Sequence, residues 1–173
     1  MTTLWTPPTV VNQHAEEGGE LTHIQWNDTQ FDALRSPGDQ SLTTNGTLVH
    51  LARSPKVDFK NKTYYLTATG FNFNSLPEVI SGIELRLNTN RRGRVTDETI
   101  QLLVNNTPVG DNQATLSVDP IKTYGAPTNL WGLESLSNND INSGFGVLIR
   151  FQSHPHYPHK DGANIYSVEL VIY

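Results

Sequence analysis

Strict alternation of apolar and polar residues is the feature of this chain that leaves the fewest folds open. Residues 64–68, 83–87, 100–104, 145–151 and 166–172 all show it. A period of two sends successive side chains to opposite faces, so each segment reads as a β-strand with one face in a core. Ile83, Leu85 and Leu87 then share one face, as do Ile100, Leu102 and Val104. No helical period is long enough for a βαβ unit, and no internal repeat is present. Turn chemistry separates the strands: Leu76-Pro77, a polar hairpin loop over 88–94 tipped by Gly93, Asn105-Asn106 before Pro108, and Gly110 before Asn112. Residues 137–141 read as one capped helical turn. About seven or eight short strands joined this way predict an all-β fold, an antiparallel β-sandwich of jelly-roll type.

Composition agrees with that class and removes others. Of 173 residues, 36% are hydrophobic and only 17% charged, which suits a turn-rich β-protein better than a helical bundle or a charged disordered chain. A formal net charge of −5 argues against nucleic acid as a partner, since phosphate binding relies on clustered Lys and Arg. The chain has no cysteine, which excludes disulfide scaffolds, thiolate zinc sites and cysteine nucleophiles. The opening MTTLWTPPTV lacks the basic and apolar regions of a secretory signal. No apolar run approaches the ~20 residues of a membrane-spanning helix. The expectation is a soluble protein made in a cytoplasm, with no membrane partner.

Residues 1–45 read differently. Pro7-Pro8, Gly18-Gly19 and Pro37-Gly38 interrupt them, and their apolar residues keep no period. Only 26–34 suggests a helical turn or two, with Asn27 or Asp28 as N-cap. Trp5 and Trp26 argue against a free linker, because large aromatic surface seeks a packing partner. Such an arm packs either on its own sandwich or on a neighbour. The expectation set here is the neighbour: an extended N-terminal arm over 1–45 and a sandwich domain over 46–173. Trp5, Val10, Val11 and Trp26 are then the partner contacts, and the arm is dispensable for folding.

The candidate chemistry is sparse. His154, His156 and His159 crowd a loop with Pro155 and Pro158. In an extended segment His154 and His156 point the same way, a two-ligand pair for zinc, nickel or iron that needs further ligands from Asp161 or a symmetric oligomer. An exposed loop can carry such histidines with no role. Arg91, Arg92 and Arg94 form a positive tip, suited to a carboxylate-bearing partner or anionic glycan, or simply solvated. Trp131 with Tyr124 offers a sugar-stacking platform, against the competing reading of a crossover packed on the core. No Gly-x-Ser-x-Gly, Walker A, Rossmann or His-Glu-x-x-His pattern occurs. The adjacent carboxylates Asp97-Glu98 and Glu16-Glu17 point to opposite faces if on strands, unlike a glycosidase pair facing across a cleft. No catalytic residue and no cofactor is predicted.

One resemblance reaches further. Tyr64-Tyr65-Leu66, Gly70-Phe71-Asn72-Phe73 with Leu76-Pro77, and Ile80-Ser81-Gly82-Ile83-Glu84 begin a series. It continues through Val95-Thr96-Asp97, Tyr124-Gly125, Leu130-Trp131-Gly132, Asp140-Ile141-Asn142 and Phe145-Gly146-Val147. Over residues 63–173 this order resembles structural proteins of tailed bacteriophages. The resemblance implies a β-sandwich virion component, made in the host bacterial cytoplasm, whose partners are other capsid or tail proteins. It transfers no catalytic residue, and the 154–161 loop is richer in His than the pattern. The expectation is a non-enzymatic protein that decorates or cements the capsid, in a homo-oligomer such as a trimer. Two alternatives stand beside it: a tail-fibre, baseplate or neck component recognising host glycan, and a glycan-cleaving enzyme.

Overall fold

The computed structural model describes residues 2–15, 23–35, 42–43, 48–49, 62–92, 95–153 and 160–173. The strands in chain order are β1 (Val10–His14), β2 (His23–Ile24), β3 (Leu42–Thr43), β4 (Leu48–Val49), β5 (Lys62–Thr63) and β6 (Tyr65–Thr69). They continue as β7 (Ile83–Arg92), β8 (Val95–Val104), β9 (Thr107–Val109), β10 (Ile121–Ala126), β11 (Gly146–Ser153) and β12 (Lys160–Ile172). One sheet places β11 between β8, which carries β9, and β5 with β6; β1 flanks β6 and β2 flanks β5. The other runs β10-β7-β12, with β3 and β4 along β12. Pairing is antiparallel except between β2 and β5. The protein is therefore an all-β antiparallel sandwich, as the alternation requires.

Ile83, Leu85 and Leu87 of β7 are fully buried, as are Ile100 and Leu102 of β8 and Val147, Ile149 and Phe151 of β11. These inward sets meet Val168, Leu170 and Ile172 of β12 in one core. Burying each such side chain contributes ~1.5–3 kcal/mol.

Two local expectations need correction. The 88–94 segment is not a hairpin loop: β7 runs on to Arg92, and Arg91 and Arg92 pair with Ala163 and Gly162 of β12. β8 lies in the opposite sheet, so β7 and β8 do not pair with each other; Gly93, the expected tip, lies outside the described residues. The β8–β9 connection is the tight hairpin, with Asn105 and Asn106 at φ +52° and +62°, the left-handed pair that asparagine tolerates. Residues 137–141 form hydrogen-bonded turns rather than a helical turn, with Asp140 N–H donating to Ser137 O and Ile141 N–H to Asn138 O.

The largest correction concerns the arm. Thr6 exchanges backbone hydrogen bonds with Leu170, both 2.9 Å, and Thr3 N–H donates to Ile172 O at 2.9 Å. Residues 3–6 thus extend the sheet of β12. Pro7 and Pro8, which have no N–H to leave unpaired, cross to the other sheet, where β1 pairs with β6. Val11, Ile24, Trp26 and Leu34 are buried in the same core as the strands. Trp26 packs edge-on against Phe151 at 6.0 Å between ring centres, and its indole N–H donates to Tyr64 O at 3.0 Å. Gln13 brackets the Trp26 backbone, donating to its carbonyl at 3.0 Å and accepting from its N–H at 2.7 Å. Val11 and Trp26 therefore cannot be partner contacts, and residue 45 does not separate two packing units. The helical expectation over 26–34 matches: a 3₁₀ turn at Asp28–Gln30, capped by the Asn27 side chain, precedes a short α-helix, α1, at Asp32–Arg35.

Candidate functional site

Trp131 and Tyr124, expected as a possible sugar platform, are core residues, 0% and 3% exposed. Trp131 sits at φ +57°, held by its backbone N–H to Asn129 Oδ1 at 2.7 Å and its indole N–H to Ile83 O at 2.9 Å. Gly125, at φ +83°, lets Trp131 approach β7; a Cβ there would strike Ile83 O and the indole nitrogen. This is the crossover packed on the core, and a glycan contact at either aromatic is ruled out by burial.

Trp5 is half-buried beneath Arg86, whose guanidinium carbon lies 4.5 Å from the ring centre, while Arg86 pairs with Glu169 at 2.9 Å. Val10 is 41% exposed. Arg94, His154 and His156 lie outside the described residues, as do the side chains of Arg91 and Arg92. Among the described residues no group of three or more His, Asp or Glu is placed to hold a metal ion, and no helix is long and apolar enough to cross a membrane.

Among the described residues, ionisable side chains from several strands converge at β8. Between Arg150 and Phe151 the pairing with β8 skips from Thr99 to Asp97, so Glu98 is the extra residue of a β-bulge. A bulge re-aims side chains, and the two adjacent carboxylates serve different partners. Glu98 receives Arg150 through Nε at 2.6 Å and a second nitrogen at 2.9 Å, Lys62 Nζ at 3.1 Å and Thr99 Oγ1 at 2.7 Å. Burial pushes the Glu98 carboxyl up, but these hydrogen bonds and the charge of Arg150 outweigh it and bring it down to about 2. The Arg150 guanidinium also lies over Tyr65 at 4.0 Å, and Tyr65 stacks on His14 at 5.3 Å. Asp97, fully buried, accepts from Thr115 N–H at 3.1 Å and from Ser117 N–H. These are structural clamps: each carboxylate is spent on holding a neighbouring segment.

Among the described residues, two surfaces stand out. The first is a strip on residues 116–121, where Leu116, Val118 and Ile121 are 59%, 54% and 62% exposed. Asp97 fixes the backbone of this stretch, and Leu116 takes a left-handed φ of +55°. The strip leads into β10, the outermost strand of its sheet among the described residues. The second is a groove of about 340 Å³ at the end of the sandwich opposite the start of β8, where residues 70–76 meet Thr9, Val10 and residues 141–143. Phe71 and Phe73 stack beside it at 6.1 Å. Sequence reading missed both surfaces, because Leu116 and Val118 fall in an unperiodic stretch and the groove joins segments distant in sequence. Comparison with protein-family models, with curated proteins and with solved structures finds no match.

Proposed function

We propose that this protein is a non-enzymatic structural component of a tailed-bacteriophage virion that decorates or cements the capsid. The observation that carries the reading is the strip of Leu116, Val118 and Ile121, three aliphatic side chains each more than half exposed beside an outermost strand. A strand that is outermost among the described residues and exposed aliphatic side chains beside it invite another protein, and the Asp97 anchors of their backbone lower the entropy lost on docking. The non-enzymatic part is supported by how four of the described carboxylates are used. Glu98 is tied to Arg150, Asp97 to loop amides, Glu169 to Arg86 and Glu84 to the Tyr173 hydroxyl. The virion assignment rests on the motif resemblance over residues 63–173.

The test is co-sedimentation of the purified protein with expanded, undecorated capsids of the phage that encodes it, alongside solution sizing of the free protein. Saturable binding that is lost in a Leu116→Asp/Ile121→Asp double variant is the expected result. Binding to isolated tails with none to capsids would move the protein to the tail, and binding to neither would end the virion reading.

A further inference from the structure

The groove between residues 70–76 and 141–143 has a chemistry distinct from the aliphatic strip. None of its lining residues is ionisable. Its apolar wall includes Phe73 and Ile141, and its polar groups are amides and hydroxyls: Thr9, Asn72, Asn142 and Ser143. Two of the polar groups are already locked. Asn142 donates to Asn105 Oδ1 at 2.8 Å and to Asn139 O at 3.1 Å, and accepts from Gly144 N–H at 2.8 Å. Thr9 Oγ1 donates to Gly70 O at 2.7 Å, which leaves its lone pairs as acceptors. Gly70, at φ +69°, permits that approach, since a Cβ would strike the Thr9 hydroxyl. Asn72 and Ser143 are exposed and line the groove from its two different chain segments.

We propose that this groove is a binding site for a short segment of neutral glycan. A half-exposed phenyl ring, Phe73, offers an apolar face to the C–H side of a sugar ring, while amides and hydroxyls at the rim match its hydroxyls. The absence of ionisable lining excludes charge pairing as the basis of recognition and disfavours anionic glycans, whose desolvated charge would go unanswered. At about 340 Å³ the site is at the small end of the ~300–1,000 Å³ range of ligand pockets, which suits a terminal segment rather than a long chain. The locked Asn142 and Thr9 reduce what must be ordered on binding. The site is independent of the capsid reading: a virion protein docked through residues 116–121 keeps this end of the sandwich free.

The experiment is titration of the isotope-labelled full chain with a panel of neutral oligosaccharides (glucose-, galactose-, rhamnose- and N-acetylglucosamine-based), followed by backbone amide NMR. Sialylated and uronate oligosaccharides serve as controls. The expected result is saturable shifts confined to residues 9–10, 70–76 and 141–143 with at least one neutral sugar. Affinity should not change between low and high salt, and should fall at least tenfold in Asn72→Ala and Phe73→Ala. Asn72→Ala removes only an exposed side chain, so its folded spectrum keeps the test valid should Phe73→Ala be destabilised. Three results would each overturn the proposal: no sugar shifting these residues, tighter and salt-sensitive binding of the anionic controls, or shifts that track protein concentration instead of sugar. The last would assign the groove to a second copy of the chain.

Discussion

The described residues between 2 and 35 and the stretch 110–121 both lack a strand period, and the sandwich uses them in opposite ways. The first delivers Val11, Ile24, Trp26 and Leu34 to the core; the second holds Leu116, Val118 and Ile121 out in solvent. The adjacent carboxylates of the β8 bulge divide their support along the same line. Glu98 gathers Arg150 and Lys62, and Lys62 pairs with His23 beside the segment that carries Trp26. Asp97 anchors Thr115 and Ser117. Irregular sequence is thus not a sign of an accessory segment. What separates the two is aromatic bulk with a hydrogen-bonded seat, as at Trp26, against short aliphatic side chains on a clamped turn.

Four perturbations sharpen or break this contrast, and the first is the largest. Trp26→Ala empties a fully buried site and should cost ~3–5 kcal/mol in urea unfolding, with deletion of 1–35 abolishing the cooperative transition. A truncated chain that still unfolds cooperatively would return these residues to the status of a detachable arm. Second, acid should weaken the Glu98 side of the bulge. Its carboxyl falls from 4.5 to about 2 on folding, so the stabilisation is complete above ~4.5 and is lost as pH drops from there towards 2. Discounted for solvent screening at a partly exposed carboxylate, that difference corresponds to ~1–3 kcal/mol. Glu98→Gln should flatten this part of the stability–pH curve, and an unchanged curve would show that the carboxylate is not the group responsible.

Third, Asp97→Ala leaves two loop amides without their acceptor and should cost ~1–3 kcal/mol. Hydrogen exchange should speed up at Thr115 and Ser117 but not at Trp26; equal acceleration at both would erase the distinction between the two sides. Fourth and smallest, Leu116→Ser with Ile121→Ser should change stability by no more than ~0.5 kcal/mol. A larger loss, read by thermal melting, would mean that the strip is packing surface and not a contact surface.

Much of the frame was legible in the residues. Ile83, Leu85 and Leu87 alternate cleanly, and Asn105-Asn106 is chemistry that a tight hairpin demands. Asp97 and Glu98 were legible as diverging, although not through a bulge. Periodicity names faces but not neighbours, so it could not show that β7 and β8 lie in different sheets rather than pair. Trp26 lacked any periodic companion; its seat is made by Gln13, Tyr64 and Phe151, which only the fold brings together. Trp131 left both a surface and a core reading open in the sequence; its left-handed backbone and the flanking Gly125 are what turn it inward. The groove beside Phe73 joins residues 9, 73 and 142, a juxtaposition that no local pattern encodes.

The pairing of residues 3–6 with β12 also sets a clock on biosynthesis. Ile172 N–H donates to Thr3 Oγ1 across a separation of 169 residues. At ~5–20 residues per second, a ribosome needs roughly ten to thirty seconds to make the intervening chain. For that interval Thr3 and Thr6 have no β12 to join, and contacts of such long range close slowly even once both partners exist. The register between residues 3–6 and β12 is therefore one that the sheet can close only late, once β12 has been made.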